Sequence, residues 1–301
     1  MPSAFTLPSF AKINWTLRIL GKRVDGFHDL CTLFQTISLA DLLAFSDNDE
    51  LVLTCSDGSV PVDGRNLVVR AGNALRDRYA INRGARIHLE KRIPSPGGLG
   101  GGSSNAAVAL VGLAKLWEID IDPEEMDEIA ADLGSDVPFF LRGGTAIGTG
   151  RGDIIEPAPD IDEKLMLVVT PDVLVSTTDA FGRIVASDLT KEGSKSILHD
   201  CRFIGNSGDL RNKTLINDFE ASVFPVEPEI ARVKKTLLDL GAFQAMMSGS
   251  GASVFAIFDK EETRQAAIKA LEIESTWRKF VVATVSREEY CRHLGLQHST
   301  N

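Results

Sequence analysis

Hydrophobic and polar residues alternate along residues 11 to 20. The apolar members share one face and the polar members the other: Ile13, Trp15, Leu17 and Ile19 against Lys12, Asn14, Thr16 and Arg18. A period of two residues is typical of a strand with one buried face. The pattern therefore predicts a half-buried strand whose polar face carries Lys12 and Asn14 together.

Strand-like and helix-like runs then follow each other through the first half of the chain. A turn at Asp25-Gly26 precedes further strands, predicted near residues 31–38, 51–55 and 85–91. Residues 66–79 are predicted to form a helix between the last two of these strands. Residues 106–117 are apolar nearly all round, which is typical of a helix buried in a core.

A third helix is predicted to begin at Pro123, with Asp122 as its N-cap. Gly134 stands where this helix would end, and we expect it to adopt the left-handed conformation that favours glycine. The loop that follows carries Asp136. An acidic side chain is thus expected just beyond a helix end.

The second half predicts a ferredoxin-like unit with the order β-α-β-β-α-β. Its strands are expected at residues 165–169, 243–247, 253–258 and 280–285, and its main helices at 228–240 and 261–271, with one more near 179–186. The segment from about 187 to 217 matches no pattern. Pro157 and Pro159, among acidic residues, predict a linker and two domains, residues 1–160 and 161–301.

Composition and charge narrow the class of protein. The chain has 301 residues, 44% of them hydrophobic, and a net charge of −10, which disfavours a broad nucleic-acid interface. Neither a membrane span of about 18 apolar residues nor a basic leader with an apolar core is present, so we expect a cytoplasmic protein without membrane contact. The four cysteines form no C-x-x-C pair, and no structural metal is expected.

A glycine-rich run precedes the buried helix. Five of the six residues from Gly97 to Gly102 are glycine, which lets the backbone approach a ligand and turn its N–H groups inward. Ser103 and Ser104 are expected to cap the helix and add its positive end to the same site. The run predicts a phosphate cradle, with a flexible linker as the alternative.

The serine at position 103 excludes two common phosphate-binding motifs. A Walker loop that starts at Gly97 requires lysine at this position, and a dinucleotide fingerprint that starts at Gly98 requires glycine or alanine. A second turn of small residues, 248–253, lies between two apolar runs and by itself indicates only a hairpin.

Three separated motifs together resemble a known family. Ala11-Lys12-Ile13-Asn14, the run from Pro96 to Ser104, and Met247-Ser248-Gly249-Ser250-Gly251 resemble the signatures of the galactokinase, homoserine kinase, mevalonate kinase and phosphomevalonate kinase superfamily. Residues 22–28, 134–138 and 217–220 are similar to the branch whose acceptor is 4-diphosphocytidyl-2-C-methyl-D-erythritol. The resemblance covers nearly the whole chain.

The resemblance implies a two-domain α+β kinase fold, with an N-terminal domain like ribosomal protein S5 domain 2 and a C-terminal ferredoxin-like domain. It also implies transfer of the ATP γ-phosphoryl group to the acceptor's 2-hydroxyl, in the non-mevalonate route to isoprenoids. Mg²⁺ is expected as the companion of ATP, in contact with Ser103 or Ser104. The implied ATP-binding residues are Pro94, Ser95, Pro96, Gly97, Gly98, Leu99, Gly100, Gly101, Gly102, Ser103, Ser104 and, on the adenine side, Asn66.

Lys12 and Asp136 match the catalytic pair of the resembling family. We expect Asp136 to orient the acceptor hydroxyl and take its proton, and Lys12 to stabilise the developing charge. The residues alone are equally consistent with structural roles, in which Lys12 is a solvated strand residue and Asp136 is a loop cap.

The remaining site residues belong to the acceptor. Asn14 is expected to hydrogen-bond the acceptor hydroxyls, although a solvent-facing polar residue is the alternative. The resemblance implies that Phe27 and Phe181 sandwich the cytosine while His28 reads its edge. Two rival functions stay open: a related kinase for homoserine or a mevalonate derivative, and a nucleotide-binding module without catalysis.

Overall fold

A computed structural model of the protein describes residues 4–184, 202, 210–211 and 213–296. Most of the segment from 187 to 217 lies outside the described residues. Two sheets form the framework, one from each half of the chain. The predicted α+β fold is therefore confirmed, while the domain boundary at residue 160 stays a prediction.

The first sheet is built around a long antiparallel hairpin of β1 and β2. Its six strands are β1 (Phe5–Lys22), β2 (His28–Ser46), β3 (Leu51–Cys55), β4 (Ala85–Glu90), β5 (Thr145–Thr149) and β6 (Ile154–Pro157). The order is β3-β4-β2-β5-β6, with β1 paired to β2 and only β3 and β4 parallel to each other. The sequence patterns did not predict β5 and β6, which are short.

Three helices and a short 3-10 turn accompany this sheet. They are α1 (Leu67–Tyr79), α2 (Gly101–Trp117), α3 (Pro123–Leu133) and the 3-10 segment Pro138–Leu141. Asp122 caps α3 as predicted, accepting a hydrogen bond from the Glu124 N–H. Gly134 corrects the prediction for the other end: its φ of 169° is extended rather than left-handed.

The second sheet has the strand order β10-β7-β9-β8, all antiparallel. Its strands are β7 (Met166–Thr170), β8 (Gln244–Met247), β9 (Val254–Ile257) and β10 (Arg278–Val282). The helices of this half are α4 (Thr177–Gly182), α5 (Phe219–Val223), α6 (Pro228–Asp239), α7 (Glu261–Ala270) and α8 (Arg287–Leu294). Read in chain order, the sheet is 4-1-3-2 with α6 and α7 as its crossovers, which confirms the ferredoxin-like prediction.

The two sheets pack together through β1. The apolar side of this strand buries Ile13 and Trp15 in a cluster shared with the second sheet, and the Trp15 and Phe255 rings meet edge to face, 5.3 Å apart. The polar residues Lys12 and Asn14 are also buried, with 4% and 1% of their surface exposed. The prediction of a half-buried strand is therefore wrong, because alternation in sequence cannot show that the polar face is covered too.

Helix α8 returns to the first sheet. Tyr290 and Leu294 lie in the cluster that α1, α2 and α3 form with this sheet, and the Tyr290 hydroxyl donates to the Phe140 carbonyl. The end of the described chain thus packs against its beginning. Among the residues that the structure describes, none of the helices is long and apolar enough to cross a membrane.

A buried ion pair fixes the segment that leads into the glycine run. The Lys91 ammonium lies 2.7 Å from an Asp41 carboxylate oxygen, and both side chains are almost fully buried. The other Asp41 oxygen accepts the backbone N–H groups of Arg92 and Ile93, at 2.7 and 2.8 Å. One carboxylate therefore sets the path of three consecutive residues just before the loop begins.

We expect Asp41→Ala to destabilise the fold by about 3–5 kcal/mol, because it leaves a buried ammonium without its partner. The free energy of unfolding, from urea titration, measures this. Asp47→Ala is the matched control, since Asp47 pairs with Arg83 at an exposed site and such pairs contribute about 1 kcal/mol at most. Equal losses in the two variants would show that the buried pair has no special role.

Candidate functional site

The glycine run lines a cleft of about 340 Å³ between the two sheets. We call it the central cleft. Residues 94–103 line it together with Lys12, Asn14, Asp136, Phe181 and Gly249. Sequence positions far apart, predicted separately, thus lie around one cavity. Of the predicted site residues, Asn66, Ser104, Phe27 and His28 do not line it.

The backbone of the glycine run adopts a shape that side chains would obstruct. Gly98 and Gly100 have φ of 71° and 69°, in the left-handed region. A Cβ on Gly98 would lie 2.0 Å from the Ser248 carbonyl oxygen, and one on Gly100 would lie 2.9 Å from Cγ of Lys12. The glycines are therefore required by close packing against the third motif and against Lys12.

Helix α2 begins at Gly101, earlier than predicted. Its N-cap is Gly100, which provides no side-chain hydrogen bond, so the prediction that Ser103 and Ser104 cap the helix is wrong. Both serines lie in the first helical turn instead. The N–H groups at the start of a helix have no partner within it, and with no capping side chain they are available to an anion.

Ser103 and Ser104 face different surroundings. Ser104 is fully buried and its hydroxyl accepts a hydrogen bond of 2.7 Å from Ser9, whose hydroxyl also lies 2.7 Å from Oδ1 of Asn105. This contact anchors α2 to β1. Ser103 lines the central cleft. Of the two hydroxyls, that of Ser103 is the one placed to meet a ligand.

The turn of small residues at 248–253 is more than a hairpin. The Ser248 hydroxyl donates to the Gly98 carbonyl, at 2.9 Å, and the Ser253 N–H donates to the Gly97 carbonyl, at 3.1 Å. A Cβ on Gly249 would lie 3.3 Å from Nζ of Lys12. The turn at 248–253, which joins two strands of the second sheet, therefore packs against the glycine run and also lies close to Lys12.

Lys12 and Asp136 lie side by side in the cleft. Nζ of Lys12 is 3.4 Å from Oδ2 of Asp136 and donates a hydrogen bond of 2.8 Å to Oδ1 of Asn14. Nδ2 of Asn14 donates in turn to the Thr32 hydroxyl, at 2.7 Å, which donates to the Thr16 carbonyl. This chain of hydrogen bonds fixes the ammonium beside a carboxylate that is 32% exposed and open to the cleft.

The geometry contradicts the solvent-facing and loop-cap alternatives for these residues. Lys12 and Asn14 are buried, so neither is a solvated strand residue. Asp136 follows α3, whose C-cap is Gly134, and the 3-10 turn after it has no side-chain cap. Within the described part of the chain, the side chain of Asp136 makes its ion pair with Lys12 and no capping hydrogen bond.

Asn66 has a structural role of its own. Its side chain caps α1 by accepting the Val68 N–H at 2.9 Å, and its amide donates to the Pro61 carbonyl at 2.7 Å. The neighbouring Leu67 lines the central cleft. The segment thus reaches the cleft, but the side chain of Asn66 is already paired.

A second cavity, here called the side pocket, adjoins the central cleft. It measures about 510 Å³ and is lined by Phe27, His28 and Phe181, among other residues. The His28 and Phe181 rings stack with centroids 5.0 Å apart, while the Phe27 ring lies under the Arg151 guanidinium, at 5.0 Å. The three aromatic residues are brought together, but the predicted sandwich of Phe27 and Phe181 around a base stays a prediction.

Burial lowers the pKa of His28 below the ordinary value of 6.5, and the positive charge of Lys22 lowers it further. The ring is therefore neutral at pH 7. A neutral imidazole has one donor and one acceptor nitrogen, which suits it to read the edge of a base.

Asn217 is a buried contributor whose role sequence reasoning missed. Its amide donates to the carbonyls of Met247 and Gly249, both at 2.8 Å, and its Oδ1 accepts the Phe219 N–H. The next residue, Asp218, accepts the N–H of Ile19 on β1. The segment joins the third motif to the first strand. The motif at 217–220 signalled its importance, but no pattern could show these partners.

A metal site is not evident from the protein ligands alone. Among the described residues there is no group of three or more histidine, cysteine, aspartate or glutamate side chains able to hold an ion.

Comparison with known proteins agrees with this geometry. The models of the GHMP kinase N-terminal and C-terminal domains match residues 66–144 and 202–275. The 4-diphosphocytidyl-2-C-methyl-D-erythritol kinase of Solibacter usitatus is 40% identical over 288 residues, which cover 94% of this chain and 90% of the relative. That of Caldanaerobacter subterraneus is 38% identical over 260 residues, 85% of this chain and 88% of the relative.

A solved structure is similar over nearly its full length. A crystal structure of 4-(cytidine 5′-diphospho)-2C-methyl-D-erythritol kinase superposes with a TM-score of 0.76 at 30% identity, covering 94% of this chain and 99% of that one. The overall fold is thus shared along nearly the whole of both chains. The chain belongs to the 4-diphosphocytidyl-2-C-methyl-D-erythritol kinase family of the GHMP kinases.

Proposed function

We propose that the protein transfers the γ-phosphoryl group of ATP to the 2-hydroxyl of 4-diphosphocytidyl-2-C-methyl-D-erythritol. Family membership confirms the prediction of a kinase of the non-mevalonate isoprenoid pathway. One observation carries the proposal for the site. It is the pairing of Lys12 and Asp136, 3.4 Å apart, in a cleft bordered by the glycine run.

The nucleotide half of the site fits the phosphates of ATP. The glycine run and the uncapped start of α2 offer backbone N–H groups to an anion. Gly102 lines the cleft, and a Cβ there would meet no protein atom within 4 Å. We place the triphosphate along residues 97–103 and the adenine on the side of Leu67, next to Asn66.

The positions of the two charges support the following course for the reaction. The acceptor hydroxyl donates a hydrogen bond to Asp136 and gives up its proton to that carboxylate as its oxygen bonds the γ-phosphorus. The bond from the γ-phosphorus to the bridging oxygen breaks, and ADP leaves. Lys12 stabilises negative charge on Asp136 and on the transferring group, while Asn14 holds the ammonium and orients the acceptor.

Mg²⁺ and the location of the protein are parts of the same proposal. Mg²⁺, when bound with ATP, would neutralise charge on the phosphates. Ser103 is the serine we assign to it, since the hydroxyl of Ser104 is engaged with Ser9. We keep a cytoplasmic location and a small-molecule acceptor, without nucleic acid or membrane as partners, as predictions.

The side pocket supports the cytidyl acceptor over its rivals. Homoserine and mevalonate are small and have no base to stack, whereas Phe27, His28 and Phe181 line a cavity next to the reacting pair. Retention of both Lys12 and Asp136 argues against a non-catalytic binding module. Turnover of homoserine or mevalonate, but not of the cytidyl compound, would contradict the acceptor we propose.

We expect Asp136→Asn to lower kcat by about 100- to 10,000-fold, because the amide cannot take the hydroxyl proton. Steady-state kinetics at saturating ATP and acceptor measure this. Asp132→Asn, at an exposed position of α3, is the matched control and should behave like the parent enzyme. Near-full turnover by Asp136→Asn would remove Asp136 from catalysis.

We expect Gly102→Ala to weaken ATP binding on the order of tenfold, because the added methyl group would occupy cleft space that we assign to the phosphates and displace them from about one charge-assisted hydrogen bond. The fold should be unchanged or more stable by up to about 1 kcal/mol, because alanine favours a helix. Gly98→Ala is the contrasting variant, since its Cβ clashes with Ser248 and should reduce stability as well. Titration calorimetry with ATP and thermal melting separate the two effects. Unchanged ATP affinity in Gly102→Ala would place the phosphates elsewhere.

We expect the KM for the acceptor to be constant from high pH down to about 6.5 and to rise at lower pH. The pKa of His28 is lowered in the folded protein, so acidification protonates a ring that must stay neutral to accept a hydrogen bond. A depressed histidine pKa also means that stability is lost as pH falls through it. His28→Gln should raise KM and abolish this rise at low pH. The same pH profile in parent and variant would show that another group titrates.

A further inference from the structure

The acceptor of the proposed reaction carries a diphosphate between its base and its sugar alcohol. If the base lies in the side pocket and the reacting hydroxyl beside Asp136, the diphosphate must cross the junction of the two cavities. Four described residues line both cavities: Ser135, Arg151, Thr177 and Phe181. Arg151 is the charged member of this set.

Arg151 is held at the junction by its own turn. It lies between β5 and β6, flanked by Gly150 and Gly152 with φ of 65° and 94°. Its Nε and Nη2 donate to Oδ2 of Asp153, at 2.9 and 2.7 Å, and its backbone N–H donates to Oδ1 of the same carboxylate. Residues 151–153 thus form a tight turn, and its hydrogen bonds fix the direction of the guanidinium.

The guanidinium retains donors for a ligand. Arginine has five N–H donors, and the bonds to Asp153 use two of them. No other acceptor within the described residues takes up the remaining three. One face of the group is covered by the Phe27 ring, 5.0 Å away, while about a third of the side chain is exposed. The group is thus oriented without being fully engaged.

A diphosphate at this junction needs a nearby cation, because the protein around it is acidic. The protein has a net charge of −10, and Asp136 lies in the same cleft. Lys12, the other cation lining the central cleft, is engaged with Asp136 and Asn14. Lys22 lines the side pocket but not the central cleft. A planar arginine fork matches two phosphate oxygens better than a lysine does.

We propose that Arg151 binds the diphosphate of the acceptor and thereby holds the base and the reacting hydroxyl at their correct separation. This inference rests on the proposed function and deepens it, because it assigns a specificity residue to the linker of the substrate. Asp153 orients the fork, and Phe27 supports it from one face. Acceptors without a diphosphate lose this contact.

The test compares Arg151→Gln, Arg151→Lys and Arg183→Gln. Arg183 is exposed at the end of α4 and lines neither cavity, so it serves as the matched control. We expect Arg151→Gln to raise the KM for the cytidyl acceptor on the order of 10- to 100-fold, with the KM for ATP unchanged. Arg151→Lys should lie between parent and Arg151→Gln, because it keeps the charge but loses the fork.

Binding of two probe ligands provides a readout that does not depend on turnover. By calorimetry, affinity for cytidine 5′-diphosphate should fall in Arg151→Gln by a factor similar to the rise in KM, while affinity for cytidine should not change. The double variant Arg151→Gln/Asp153→Asn should show the same loss, which excludes repulsion from the unpaired Asp153 as its cause. Thermal melting should show that all variants are folded.

The outcomes separate this inference from the proposed function. If the parent phosphorylates the cytidyl acceptor and Arg151→Gln keeps both the parent KM and the parent affinity for cytidine 5′-diphosphate, the role of Arg151 is overturned alone. An equal rise in the KM for ATP would also overturn it, by moving Arg151 to the nucleotide side. If the parent neither binds nor phosphorylates the acceptor, both proposals fail.

Discussion

The ammonium of Lys12 is buried between the two sheets, and its burial determines which polar groups and which backbone segments must surround it. A charge removed from water costs several kcal/mol unless oxygen atoms replace the lost hydration. Asn14 and Asp136 supply those atoms, and the Phe34 ring lies 5.6 Å away. The backbone N–H of Lys12 also donates to the Leu99 carbonyl, at 2.9 Å, so the first strand is joined directly to the glycine run.

Close packing around Lys12 explains why glycines recur at positions distant in sequence. Gly100 lies against the aliphatic part of the lysine, and Gly249 lies near its ammonium. Gly98 lies against the carbonyl of Ser248, so the two glycine-containing turns also contact each other. The glycine run and the turn at 248–253 can both approach this one side chain because Gly100 and Gly249 have no Cβ atom there. The glycines therefore shape the cleft as well as leaving room for phosphates.

Local signals in the sequence predicted what depends on local physics. The N-cap at Asp122 and the order of the ferredoxin-like unit follow from neighbouring residues and from periodicity, and both are present in the structure. The errors arise where distant parts of the chain decide. Ser104 resembles a helix cap in sequence, but Ser9 on β1 engages its hydroxyl. Gly134 resembles a left-handed C-cap, but the chain leaves α3 in an extended conformation toward Asp136.

The site residues show the same division. The motifs around Lys12, the glycine run and Asp136 were predicted because each has a distinctive composition, and they line one cleft. Asn217 and Arg151 could not be assigned in this way. The partners of Asn217 are carbonyl groups 30 and 32 residues away, which no periodicity encodes. Arg151 lies in a turn of ordinary composition, and only the adjacency of two cavities singles it out.

The two parts of the proposed site, the glycine run and the side pocket, are connected by residues of the second half of the chain. The hydroxyls of Thr177 and Ser250 lie 2.9 Å apart, so the helix that carries Phe181 is hydrogen-bonded to the turn that supports the glycine run. Asn217 secures the same turn by binding the carbonyls of Met247 and Gly249. The turn therefore contacts both the glycine run, at Gly98, and α4, the helix that carries Phe181. Lys12 and Asp136 lie in the central cleft, where we propose that the phosphoryl donor and the hydroxyl acceptor meet.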